Sequence, residues 1–120
     1  MTESNFKPAP ATRDQHVDQL LTPKNSLLTL MDYQPEIIAG VESIDRALMI
    51  NNIVALTKTA KLFDMPIALS TVAVEAGYNH DTIKQIREII PDVKSVDRLT
   101  VNPWEDEEFR QEVASTGRKN

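Results

Sequence analysis

Four apolar side chains in five positions, Leu27, Leu28, Leu30 and Met31, run without alternation into a carboxylate, Asp32, and a Tyr-Gln-Pro stop. A strand with one wet face alternates apolar and polar residues. The stretch 26–32 is apolar on both faces, which predicts a strand covered by helices on both sides. The next segment has helical period. Met49, Ile53, Leu56, Ala60 and Phe63 draw one stripe, Lys58 and Lys61 stand off it, and Asp64 and Pro66 end it. A second strand is expected over 67–74, broken by Gly77, Tyr78 and Asn79. Ile83, Ile86 and Ile90 mark a second helix closed by Pro91. A poorer third strand is expected over 93–98. Asn102 as N-cap, Pro103 at the first helical position and Glu105 at N3 predict the start of a last helix. The acidic run from Glu105 to Glu108 complements its dipole, and Gly117 is placed to stop it. Strand and helix alternate three times, the pattern of an α/β fold with a parallel sheet and right-handed crossovers.

Composition narrows the function classes. The 120 residues allow one small domain, and the formal charge of −5 gives no basic footprint for nucleic acid. No stretch joins Lys/Arg density to an apolar face, and no apolar run nears the ~20 residues of a bilayer span. The N-terminus has no apolar secretory core and carries acids that a transit peptide avoids, so a cytoplasmic location is the default expectation. There is no cysteine, which excludes disulfides, thiolate metal sites and a cysteine nucleophile within these residues. Residues 1–22 are expected to form a disordered tail, rich in proline and small residues to about position 12, and a short helix over 13–21. The domain is expected over 23–120.

In open parallel sheets, sites lie at the carboxyl ends of the strands. Asp32 ends strand one and Arg98 ends strand three, so the two can meet over the sheet. A structural ion pair and a functional pair both fit that placement. Gln34 can orient a substrate amide or simply shape the turn. His16 falls in the expected short helix near the tail. His80 stands beside Asn79 and Asp81 without further ligands at metal spacing, so no metal site is expected. Trp104 is expected to staple the last helix to the sheet edge. The three glycines are too scattered for a phosphate loop.

The segments LLTLMDYQP, LSTVAVEAGYN, VDRLTVNPWEDEEF and VASTGRKN together resemble the isochorismatase-like cysteine hydrolases, the superfamily that includes nicotinamidases. The resemblance runs from about Ser26 to the last residue. It implies a three-layer α/β/α sandwich around a six-stranded parallel sheet, in which the first strand lies beside the fourth. It also implies catalysis by an aspartate after strand one, a basic residue after strand three and a cysteine after strand four. Asp32 and Arg98 match the first two as expected catalytic residues, with Gln34 and Asn102 as expected substrate-contacting residues. No cofactor is implied, and the metal-binding constellation of the nicotinamidase branch has no match after Asp32. The sequence departs from the family at the cysteine. The Thr-Gly-Arg-Lys segment at 116–119 normally leads into strand four, so the expectation is an N-terminal portion truncated to about three strands, without the nucleophile. Three readings follow. One is a hydrolase of small molecules, homo-oligomeric, with no nucleic-acid or membrane partner, present as a portion inactive alone. The second is a non-catalytic interaction module that associates with other subunits. The third, a phospho-acceptor receiver domain, fits poorly because Asp32 lacks the paired acid that receivers carry after strand one.

Overall fold

The structure is a computed structural model, and it describes residues 20–120. Most of the expected tail and short helix, with His16, lies outside the described residues. Leu20 and Leu21, at the end of that expected helix, are non-helical and exposed.

Three strands, β1 (Leu28–Met31), β2 (Ile67–Val72) and β3 (Ser95–Arg98), form a parallel sheet in the order β1-β2-β3. The fold is α/β, as the alternating pattern predicts. Between β1 and β2 lie a short helix α1 (Pro35–Ala39) and the long helix α2 (Arg46–Leu62). The brief helix α3 (Lys84–Arg87) joins β2 to β3, and a 3₁₀ turn (Pro103–Glu105) precedes α4 (Glu107–Ser115).

The sheet separates two cores. On one face Leu30 and Leu69 meet Ile38 of α1, Ile53 of α2 and the isoleucine triplet Ile83, Ile86 and Ile90. On the other face Ala68 and Val96 meet Phe109 of α4, with Leu27 and Val113 alongside. The cover of β1 is less complete than its sequence suggests. Leu30 is 1% exposed and Leu27 and Leu28 are half-buried, but Met31 is 42% exposed. β1 is an edge strand, and α4 packs over the middle and far strands, leaving the α4 side of β1 open at Met31.

Helix α2 shows how tertiary packing overrides a periodic reading. Ile53 and Ala60 of the expected stripe are buried, but Leu56 and Phe63 are 46% and 57% exposed. Thr57 takes the buried position instead, and its hydroxyl donates to the Ile53 carbonyl at 2.7 Å. That internal bond lets a polar residue sit in an apolar interface without an unmet hydrogen bond. Asp45 caps the start of α2, accepting from the amides of Ala47 and Leu48. The end is a Schellman arrangement. The Met65 amide donates to the Ala60 carbonyl and the Asp64 amide to the Lys61 carbonyl, with Asp64 at φ 53° where glycine is usual.

The last helix starts later than its sequence signals indicate. Asn102 accepts from the Trp104 amide, but this caps only the single 3₁₀ turn. Asp106 caps α4 by accepting from the Phe109 amide at 2.9 Å, and no Glu105 capping box forms. Trp104 does not staple the helix to the sheet; it is 55% exposed. Gly117, at φ 68°, follows the helix end as expected.

The loop after β2 is fixed by Asp97 of β3. Its Oδ1 accepts from the Val74 amide and the Thr71 hydroxyl, and its Oδ2 from the Glu75 amide, each at 3.0 Å. These bonds hold a chain reversal that starts with Ala73 in the left-handed region, φ 56°. Burial pushes the Asp97 carboxyl up, but the Glu75 and Val74 amides and the Thr71 hydroxyl outweigh it and hold the carboxyl below its ordinary 3.8. A carboxyl with a depressed folded value adds stability above its unfolded value, and that stability is lost as pH falls through the folded value. Asp97→Asn is therefore expected to cost about 1–2 kcal/mol at neutral pH and to flatten the loss of stability below about pH 4. Urea titrations of both proteins at several acidic pH values check this; parallel acid profiles would contradict it.

Candidate active site

The carboxyl ends of β1, β2 and β3 converge on one ion pair. Asp32 leaves β1 in the left-handed region, φ 65°, with its amide still donating to the Ser70 carbonyl of β2. That conformation is unfavourable for most side chains and tolerated by aspartate and asparagine. It turns the chain sharply, and the Gln34 amide donates back to the Asp32 carbonyl at 2.8 Å. Arg98, the last residue of β3, reaches across β2 to meet it. Arg98 Nη1 donates to Asp32 Oδ1 at 2.7 Å and Nη2 to Oδ2 at 2.8 Å. The fork-on-fork geometry is the strongest form of such a pair.

The two partners sit in different surroundings. The Arg98 side chain is fully buried, whereas that of Asp32 is 26% exposed. Besides Asp32, the guanidinium donates to Ser70 Oγ, the Thr71 carbonyl and the Val101 carbonyl. Its Nε is buried without a partner. The carboxylate thus presents its one wet side to the space above the strand ends, with a fixed cation behind it. Such a unit can accept a proton from an approaching group and keep the resulting charges balanced.

Gln34 is 0% exposed. Its Nε2 donates to the Val72 and His80 carbonyls at 3.0 and 2.8 Å, and its Oε1 accepts from the Val72 amide at 2.9 Å. Both amide hydrogens are committed to the backbone, so in this arrangement Gln34 clamps the turn after Asp32 to the end of β2. Asn102 is exposed and its side-chain oxygen is committed to the 3₁₀ cap. His80 pairs with Glu36 of α1, whose carboxylate also accepts from the His80 amide. The pair raises the imidazole above its ordinary 6.5 and lowers the Glu36 carboxyl, and both groups lie at the solvent surface. Among the described residues no cluster of three or more His, Cys, Asp or Glu is arranged to hold a metal ion.

Ser70, Thr71 and Asp97 were not singled out by the sequence reading. The signal for the first two is present in β2, IALSTV, where two hydroxyl residues interrupt an apolar run; both are buried. A buried hydroxyl must find a partner; that of Ser70 meets Arg98 at the site, and that of Thr71 donates to Asp97.

No family model matches the chain. It is similar to the probable hydrolase YcaC of Escherichia coli (strain K12), 30% identical over 100 residues, which are 82% of this chain and 48% of that protein. Two solved structures resemble it with a TM-score of 0.76. One is YcaC from Pseudomonas aeruginosa with hexane-2,5-diol and covalent acrylamide, 27% identical, covering 82% of this chain and 49% of that one. The other is the Escherichia coli YcaC gene product, described as an octameric hydrolase of unknown specificity, 29% identical, covering 93% and 52%. The chain is thus similar to YcaC hydrolases in sequence and in fold, and it spans about half the length of the curated relative it matches.

Proposed function

We propose that residues 23–120 are the aspartate- and arginine-bearing half of an isochorismatase-like cysteine hydrolase, acting on a small molecule through a thioester. The observation that carries this reading is the Asp32–Arg98 fork at the carboxyl ends of β1 and β3, in a chain similar to YcaC hydrolases. In the proposed chemistry Asp32 takes the proton of a thiol that these residues do not contain. Arg98 balances the negative charge that develops beside it. The thiolate attacks a carbonyl carbon, backbone amides receive the oxyanion, and the leaving group departs with a proton returned from Asp32. Water then attacks the thioester, giving the acid and the free thiol.

The outer edge of β1 supports the place assigned to the missing thiol. The Asn120 amide donates to the Asn25 carbonyl, and the Asn120 carbonyl accepts from the Leu27 amide at 2.8 Å. This alternation is the bonding of a parallel strand set against Ser26. A strand continuing in that register would run up β1 and end beside Asp32, where the thiol is needed. The completed protein is proposed to be cytoplasmic, to be homo-oligomeric in line with the Escherichia coli relative described as octameric, and to bind neither nucleic acid nor membrane. Among the described residues no helix is long and apolar enough to cross a membrane. Covalent acrylamide on the Pseudomonas aeruginosa relative accords with a nucleophile in the completed site. The absence of cysteine from the 120 residues favours a second reading, a non-catalytic module that docks on other subunits through the same β1 edge.

The purified chain is expected to show no turnover of small amides or esters, and a thiol-alkylating reagent should change nothing. Turnover that follows the chain through repurification would overturn the half-site reading.

A further inference from the structure

The position of Arg98 poses a geometric problem that the middle strand has to solve. Its guanidinium must cross β2 to reach a carboxylate on β1, with its side chain fully buried. We infer that Ser70 is the positioning residue that holds Arg98 on Asp32; the inference rests on the hydrolase reading for its catalytic meaning. Ser70 pairs with Met31 on one side and with Val96 on the other, so it lies directly between the two strands whose ends the pair joins. It is 0% exposed. Its hydroxyl donates to the Val96 carbonyl at 2.9 Å and accepts from Arg98 Nη1 at 3.0 Å. A hydroxyl has one proton. With that proton committed to Val96, only lone pairs face the guanidinium, and Ser70 acts there as a fixed acceptor. Nη1 already gives one hydrogen to Asp32, so its second falls between Ser70 Oγ and the Thr71 carbonyl. The two acceptors set the tilt of the guanidinium plane about the Asp32 bond. The side chain at 70 is the part of that cradle that a substitution can remove.

The test uses two substitutions of equal shape. Ser70→Thr keeps the hydroxyl and Ser70→Val replaces it with a methyl group, so the steric burden of the added atom is common to both. The readout is rotation of the Arg98 guanidinium, followed by NMR line shape of its Nη resonances in the intact chain. Slow rotation is expected in the original protein and in the Thr variant. The Val variant should rotate faster by about fivefold, as loss of one hydrogen bond implies. Ser70→Ala, which adds no atom, should follow Val and guards against misfolding of the larger side chains. Equal rotation in Thr and Val, with Ala as slow as the original, would overturn the inference. This readout needs no thiol and no substrate, so failure of the hydrolase reading shows in the turnover assay and failure of this one in the line shapes.

Discussion

Asp32→Asn is expected to destabilise the chain by about 3–5 kcal/mol, because it strands a buried cation. The Arg98 side chain has no exposure to water, and its other acceptors are a hydroxyl and two carbonyls, none of them charged. Asparagine keeps the size of the side chain and tolerates the left-handed backbone at this position, so the loss reports charge and not shape. The reverse substitution is milder. Arg98→Met removes the buried charge and leaves a carboxylate that is 26% exposed, for a cost of about 1–3 kcal/mol. The double variant should be more stable than Asp32→Asn alone, since neither charge is then left without its partner. Urea denaturation of the four proteins gives the cycle. Equal losses from the two single variants, or a double variant weaker than both, would contradict this account of the pair.

The chain by itself is expected to be marginally stable and to self-associate, and the cause is the outer edge of β1. The Leu28 and Asp32 amides turn toward β2, so the intervening Thr29 and Met31 amides face away from it. Beyond Leu27, which Asn120 pairs, no strand among the described residues meets that edge. Unpaired strand edges recruit other strands. The apolar contribution is smaller than the sequence suggests, since Leu30 is buried and only Met31 of the four apolar residues is exposed. The open ladder is therefore the larger liability. In hydrogen exchange on dilute chain, the Thr29 and Met31 amides should exchange far faster than that of Leu30. They should become protected as concentration rises and the sedimentation coefficient increases. A concentration-independent monomer in which Thr29 and Met31 are as protected as Leu30 would show that the edge is not open.

Much of this architecture was legible because it rests on local rules. The apolar run into Asp32, the Pro66 boundary and the strand–helix alternation each follow from period and backbone chemistry, and each is found in place; the isoleucine triplet is buried as a set, but its expected helix shortens to the single turn Lys84–Arg87, with Ile83 before it and Ile90 beyond it. The meeting of Asp32 and Arg98 was legible as a consequence of parallel topology, which brings the carboxyl ends of all strands to one side. What failed needed knowledge of neighbours. Leu56 and Thr57 stand one position apart on α2, and only the position of the sheet decides that the threonine faces inward. Asn102 and Asp106 are both good caps, and the sequence does not say which one opens the longer helix. Gln34 is an amide in a turn until the end of β2 and the chain at His80 close around it. Then its hydrogen-bonding groups become a clamp. Ser70 looks like an interruption of an apolar strand until Arg98 arrives from a residue far along the chain.

On the proposed function, Asp32 and Arg98 form one half of a thiol hydrolase site. The most direct test of that function is turnover after the other half is supplied. The chain would be fused at Asn120 to the half of Escherichia coli YcaC that it does not match, and separately co-expressed with it. A panel of small amides and esters would then be assayed with the original residues and with Arg98→Met. The completed protein is expected to hydrolyse at least one member of the panel. Alkylation of its thiol should abolish that turnover, and Arg98→Met should reduce it by about a hundredfold or more, the scale of a lost electrostatic group. A folded, completed protein with a free thiol and no turnover, or turnover unchanged by alkylation or by loss of Arg98, would contradict the proposed function.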